Sequence, residues 1–175
     1  MRLLLVSVFL IMFLAGCTFL NPDGKQNESA QPNITINITR DQSFSPQQPF
    51  SAKDGLQTAE KNIVWFRKDA KLVSVKGASE GAGLALQWDY YFDSLSGSKG
   101  YALTVPDPDA SIRDMPFSFL AQLDESWMDS PAAASACGMD SAEFSLEVEG
   151  GVPVWTLISG SNVCRLNALN GASVG

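Results

Sequence analysis

Between Leu84 and Val105 the chain has few ways to fold. Leu84, Leu86, Trp88, Tyr90 and Phe92 alternate with Ala85, Gln87, Asp89, Tyr91 and Asp93. A period of two puts the large apolar groups on one side of an extended strand and leaves the other side wet. Ser94 to Gly100 turns the chain, and Tyr101, Leu103 and Val105 return, which predicts a hairpin over 84–105. Shorter runs of the same kind occur at Leu72–Val75, Phe144–Val148, Val152–Ile158 and Cys164–Ala168. They are punctuated by Gly77, Gly150-Gly151, Gly160-Ser161 and Asn170-Gly171. Pro106 to Pro116 reads as a break, and Phe117 to Leu123 as one more strand.

Two segments carry helical signals instead. Asp54 is placed to cap a helix through about Phe66, with Leu56, Ala59, Ile63 and Phe66 on one stripe. Ser130-Pro131 opens a second helix, with Ser130 as N-cap, and Gly138 supplies its left-handed stop. That helix is short and must rely on packing. A helix followed by a meander occurs twice, so the expected class is α+β, with helices laid on an antiparallel β-sheet. At 175 residues the chain accommodates one ordinary domain or two very small ones.

Charge and composition exclude several functions. Twelve Lys and Arg face 19 Asp and Glu, a formal charge of −7. Nucleic-acid binding needs clustered cations, so no nucleic-acid partner is expected. With no histidine, Ser-His-Asp and Cys-His catalysis and imidazole metal sites are out. No Gly-x-Gly-x-x-Gly, Walker loop or CxxC pair occurs. No cofactor is expected.

The first residues read as an address. Met1-Arg2 is a minimal positive region, and Leu3 to Leu14 is apolar but for Ser7. A run of that length suits an export signal, whereas a spanning helix needs roughly 20 residues. Leu14-Ala15-Gly16-Cys17 resembles the lipobox of prokaryotic lipoproteins. That resemblance implies cleavage of residues 1–16, lipid attachment to Cys17 and residence on the extracytoplasmic face of the cell membrane. Loss of Arg2 with the signal makes the mature chain more acidic still. An anionic membrane repels such a body mildly, so the acyl chains, palmitate among them, are expected to hold it there.

Residues 17–50 read as a lipid-anchored tether, rich in Asn, Gln, Ser, Thr and Pro, without helical period. Three acceptor sequons fall in it, at Asn27, Asn33 and Asn37. They are glycan sites in a host that glycosylates its surface, and otherwise mark a polar spacer. The alternating stretch 34–39 is a candidate edge strand.

In the body, the end Pro153-Val-Trp-Thr-Leu through Arg165-Leu-Asn-Ala-Leu-Asn-Gly-Ala-Ser-Val174 looks like the end of PepSY-type domains. Asp69-Ala-Lys-Leu72 fits the start of the same pattern. The resemblance implies two tandem PepSY-like units, over 51–110 and 111–175, each a cystatin-like helix on a sheet. Such domains are extracytoplasmic modules, some of them peptidase inhibitors.

Few residues carry chemistry. Cys137 and Cys164 remain after lipidation of Cys17 and can form a disulfide outside the cytoplasm. Asp107, Asp109, Ser111 and Asp114 begin like a calcium loop, but Ile112 stands where glycine is needed and Ser118 where the closing Glu belongs. A polar loop is the better reading, and no metal site is expected. Asp89, Asp93, Asp124, Glu125 and Asp129 are read as solvated carboxylates, which leaves a carboxylate-dependent hydrolase as the least favoured function. Trp65, Trp88, Trp127 and Trp155 could serve a ligand platform. Trp88, Tyr90 and Phe92 share the core parity, whereas Tyr91 and Trp155 fall off it and are the contact candidates. The expected function is a non-catalytic binding or accessory module for a protein or peptide at the cell surface, with a small-ligand binder as the rival.

Overall fold

The computed structural model describes residues 48–107 and 111–175. The signal segment, Cys17, the sequons at Asn27, Asn33 and Asn37, most of the tether and Asp109 lie outside the described residues.

The described residues form nine regular elements: α1 (Ala52–Phe66), β1 (Ala70–Ser79), β2 (Trp88–Ser94), β3 (Lys99–Val105), β4 (Ile112–Pro116), α2 (Ser130–Cys137), β5 (Ala142–Glu149), β6 (Val152–Ser159) and β7 (Asn162–Asn167). All strands join one antiparallel sheet in the order β4-β3-β2-β1-β5-β6-β7. The helix-then-meander order does occur twice, and the two halves share this sheet across the β1–β5 pair. In register, Gly77 faces Phe144 and Val75 faces Leu146.

One face of the sheet takes nearly the whole apolar load. Leu72, Val75, Trp88, Tyr90, Phe92, Tyr101, Leu103, Phe144, Leu146, Trp155, Leu157 and Leu166 meet the helices there and are buried. At β1 the run Leu72-Val73-Ser74-Val75 breaks strict alternation. A register shift between Leu72 and Ser74 absorbs it, so Leu72 and Val75 both point inward. Trp155 packs edge-on against Trp88, Trp127 and Phe144 at 5.8–6.4 Å. Such contacts between aromatics suit ring quadrupoles.

The helix starts differ from the sequence reading. Ser51 caps α1, and Asp54 is its partner at the third position of a capping box. Asp129 caps α2, which frees the buried Ser130 hydroxyl to accept from the Ala52 amide at 3.0 Å. Asp129 also accepts from the Lys53 amide at 3.0 Å. The two residues opening α2 therefore also serve amides of α1's first turn, which have no intrahelical partner.

The strand expected over 117–123 is absent. Strand pairing ends at Pro116 instead, with β4 along β3. Phe119 sits at φ 59°, which no strand allows. Between Phe117 and Asp129 the chain forms no strand, but it buries Leu123 and Trp127 in the core, and the Leu123 amide donates to the Leu72 carbonyl at 2.8 Å. The hairpin is also shorter than expected, because Leu84 and Ala85 make only isolated bridges, to Gly81 and Phe50, and regular pairing begins at Trp88.

Cys137 and Cys164 form a disulfide between the end of α2 and β7, with Cα atoms 5.9 Å apart and a sequence separation of 27. A loop of that length stabilises by about 3–4 kcal/mol in the chain-entropy account. Replacing both cysteines by alanine should lower the unfolding free energy by about that amount in urea melts. Gly77 allows a second test, since a Cβ there would lie 2.4 Å from Trp88. Gly77→Ala should cost about 1–3 kcal/mol. Gly81→Ala, which meets nothing within 4 Å, should stay within about 0.5 kcal/mol of the parent.

Candidate functional site

With the inner face filled, the outer face of the sheet is what the fold presents. Its rows follow from the register. Thr104, Asp89, Lys76, Ser145, Thr156 and Arg165 form one row, and Arg113, Ala102, Tyr91, Ser74, Glu147 and Val154 the next. Ion pairs cross these rows: Lys76 to Glu147 at 3.2 Å and Arg113 to Asp89 at 3.7 Å. Both are exposed enough to contribute little stability. Their effect is to order the charges on this face. The Lys76 ammonium lies 5.6 Å from the centre of the Tyr91 ring. Tyr91 thus stands on the outer face, half-buried, as its parity predicts.

Trp155 does not. It is completely buried, and its indole N–H donates to the Met128 carbonyl at 2.8 Å. The parity of β6 misleads because Val152, Val154 and Ile158, its larger apolar set, face outward, whereas Trp155 and Leu157 pair with the inward Leu146 and Phe144.

A shallow depression of about 550 Å³ opens on this face beside Tyr91's row. The small Ala78 and Ser145 leave room there, while Leu86 and Ile158 rise as aliphatic walls, each about 40% exposed. Lys76, Asp89, Glu80 and Glu143 complete the rim. Sequence reasoning missed this place. Its signal was available in the run Gly77-Ala78, two small residues in a central strand.

The carboxylates singled out in the sequence do not converge. Asp89 accepts from the Thr104 hydroxyl. Asp93 is buried and accepts from the amide and hydroxyl of Ser118. Asp124 accepts from Ser126, which lowers its pKa. Asp129 caps α2. The Glu125 backbone carbonyl accepts from the Lys53 ammonium at 3.1 Å. Desolvation, with Glu125 nearby, raises the Glu60 carboxyl. Burial, with Asp129, Asp54 and Asp89 adding, keeps the Tyr90 phenol protonated well above its ordinary pKa, and it donates to the Ala52 carbonyl at 2.7 Å. Asp107 closes its loop by accepting from the Ser111 amide and hydroxyl. Among the described residues no cluster of three or more His, Cys, Asp or Glu side chains is arranged for a metal ion. No helix among them is long and apolar enough to cross a membrane.

Comparison with known proteins gives the fold alone. No family model matches the chain, and no curated protein matches it in sequence. The chain is similar in structure to a crystal structure of a candidate lipoprotein from Clostridium difficile 630, with a TM-score of 0.50 and 14% identity. The match covers 75% of this chain and 95% of that one.

Asp69 supplies a pH test. Hydrogen bonds from Ser96 and Ser94 lower its pKa from the ordinary 3.8 to about 2. A carboxyl with a depressed folded pKa stabilises the fold above its unfolded value and loses that contribution as pH falls through the folded one. Asp69→Asn should therefore weaken the fold at pH 7, and its difference from the parent should fade between pH 3.8 and about 2. Urea midpoints across that range check it.

Proposed function

We propose that this chain is a surface lipoprotein anchored through Cys17, whose body is a non-catalytic binding module for a protein or peptide partner. The observation that carries the binding reading is the outer sheet face. It is broad and charge-ordered, and its depression is bordered by Leu86 and Ile158 above the small Ala78 and Ser145. Aliphatic walls among ordered charges suit a polar-rimmed protein contact. The lipobox-like Leu14-Ala15-Gly16-Cys17 supports the anchor. Likeness in fold to a candidate lipoprotein is consistent with that setting.

We further read the two halves as PepSY-like units. Trp88 donates to the Phe50 carbonyl at 2.9 Å, two residues before α1, and Trp155 to the Met128 carbonyl, two residues before α2. Equivalent indoles doing equivalent work favour a repeated unit. A small-ligand binder is the rival reading, favoured by the depression's volume, which falls within the usual pocket range of about 300–1,000 Å³.

A photo-crosslinking residue at Ile158, in the tethered protein on its own cells, tests the binding reading. A discrete protein adduct there, absent for the same residue at the helix position Gln57, is expected. Equal labelling at both positions, or none, contradicts a protein partner on this face.

A further inference from the structure

We propose that one end of the body is a contact surface for an anionic phospholipid bilayer. The proposal rests on the anchor at Cys17, and it assigns the orientation of the body that the anchor leaves open.

Three large side chains stand in water at that end: Trp65 is 86% exposed, Leu95 79% and Phe119 85%. They come from three elements, and the contacts bring those elements together. Trp65 is in the last turn of α1, next to Phe66, whose ring meets Tyr101 edge-on at 5.6 Å. Leu95 begins the β2–β3 turn, which Asp69 grips by accepting from the Ser94 hydroxyl at 2.8 Å and the Ser96 amide at 3.1 Å. Phe119 follows β4 in a loop held by the two hydrogen bonds from Ser118 to Asp93. Register closes the set, because Ser94, Lys99 and Pro116 lie on one row with Ala70.

The charge at this end has the opposite sign to the rest. Lys61, Arg67, Lys68 and Lys71 are exposed around these tips. Together with Lys99 they outnumber the acids of this end, Asp69, Asp93 and Asp114, the last of which pairs with Lys99 at 3.0 Å. The chain as a whole carries −7. An acidic body with one basic, aromatic-tipped end is steered by an anionic leaflet to present that end. Trp and Phe favour the headgroup level, and Lys and Arg snorkel around them. Three separate projections suit shallow insertion among headgroups.

The tether permits this orientation. It enters beside Ser51, at the far end of α1 from Trp65. That helix is about 22 Å long, while residues 18–47 reach about 100 Å when extended. The repulsion expected from net charge alone therefore gives way to attraction at one end.

Tryptophan quenching tests this. Trp88, Trp127 and Trp155 are completely buried, so Trp65 is the reporter. The full chain, as it is isolated from membranes, is reconstituted into vesicles of phosphatidylcholine with 30% phosphatidylglycerol, using brominated phosphatidylcholine as quencher. The expected result is a quenched component that disappears in Trp65→Phe. It should fall at least threefold in pure phosphatidylcholine, and as much when Lys61, Arg67, Lys68 and Lys71 are all changed to Gln. Leu95→Ser with Phe119→Ser should reduce it as well. Trp65 emission untouched by brominated lipid and open to acrylamide overturns the proposal, and so does quenching that survives the four-Gln variant unchanged. The mass of the N-terminal peptide from the same preparation separates the two readings. A lipidated Cys17 with unquenched Trp65 overturns this proposal alone. An unmodified Cys17 with quenching retained overturns the anchor and supports this surface.

Discussion

Two buried indole N–H groups fix where the helical layer meets the sheet. Trp88 and Trp155 each fill the core with a large ring and still satisfy their one polar atom, on the Phe50 and Met128 carbonyls. A buried donor left without a partner costs about 1–3 kcal/mol, so each ring position dictates the path of the chain entering a helix. The Phe50 and Met128 carbonyls lie just before the residues that cap α1 and α2. Asp129 and Ser130 then bind the amides of Ala52 and Lys53. The start of one half is thereby tied to the start of the other. Gly77 and Gly55 complete the arrangement by leaving room for Trp88 and for the Tyr90 hydroxyl, where a Cβ would collide at 2.4 and 2.2 Å.

The functional surfaces follow from that packing. The helices and the buried aromatics occupy one side, which leaves the opposite face to Lys76, Asp89, Tyr91, Glu143 and Thr156. The free edge of β7 is partly covered by the C-terminal segment, where Asn167 donates to the Ala172 carbonyl and Val174 to that of Arg165. β4, charged and ending in Pro116, forms the other edge. Such edges resist uncontrolled strand pairing. Contact is thereby left to the outer face and to the basic end of the body.

The local signals in the sequence were legible where one physical effect dominated. Alternation at 88–92, the apolar stripe of Leu56, Ala59 and Ile63, and the left-handed Gly138 read correctly because each depends on near neighbours, whereas the cap of α1 falls on Ser51 rather than Asp54. The other failures come from long-range partners. Ser130 reads as an N-cap until Ala52, 78 residues away in sequence, claims its hydroxyl. Trp155 reads as exposed until its pairing with the inward Leu146 is seen. The bulge at Leu72–Ser74 and the β4 pairing arise from register, which no local pattern encodes. Trp65 was visible as an aromatic, but only the assembled fold places it beside Leu95 and Phe119.

If the two halves are tied as described, they must unfold together. Native-state hydrogen exchange of the body measures this directly. The slowest amides of β1 and β2 should open with the same free energy as those of β5 and β6, and that value should equal the global one. A lower opening free energy for one half, with the other still protected, would contradict the account.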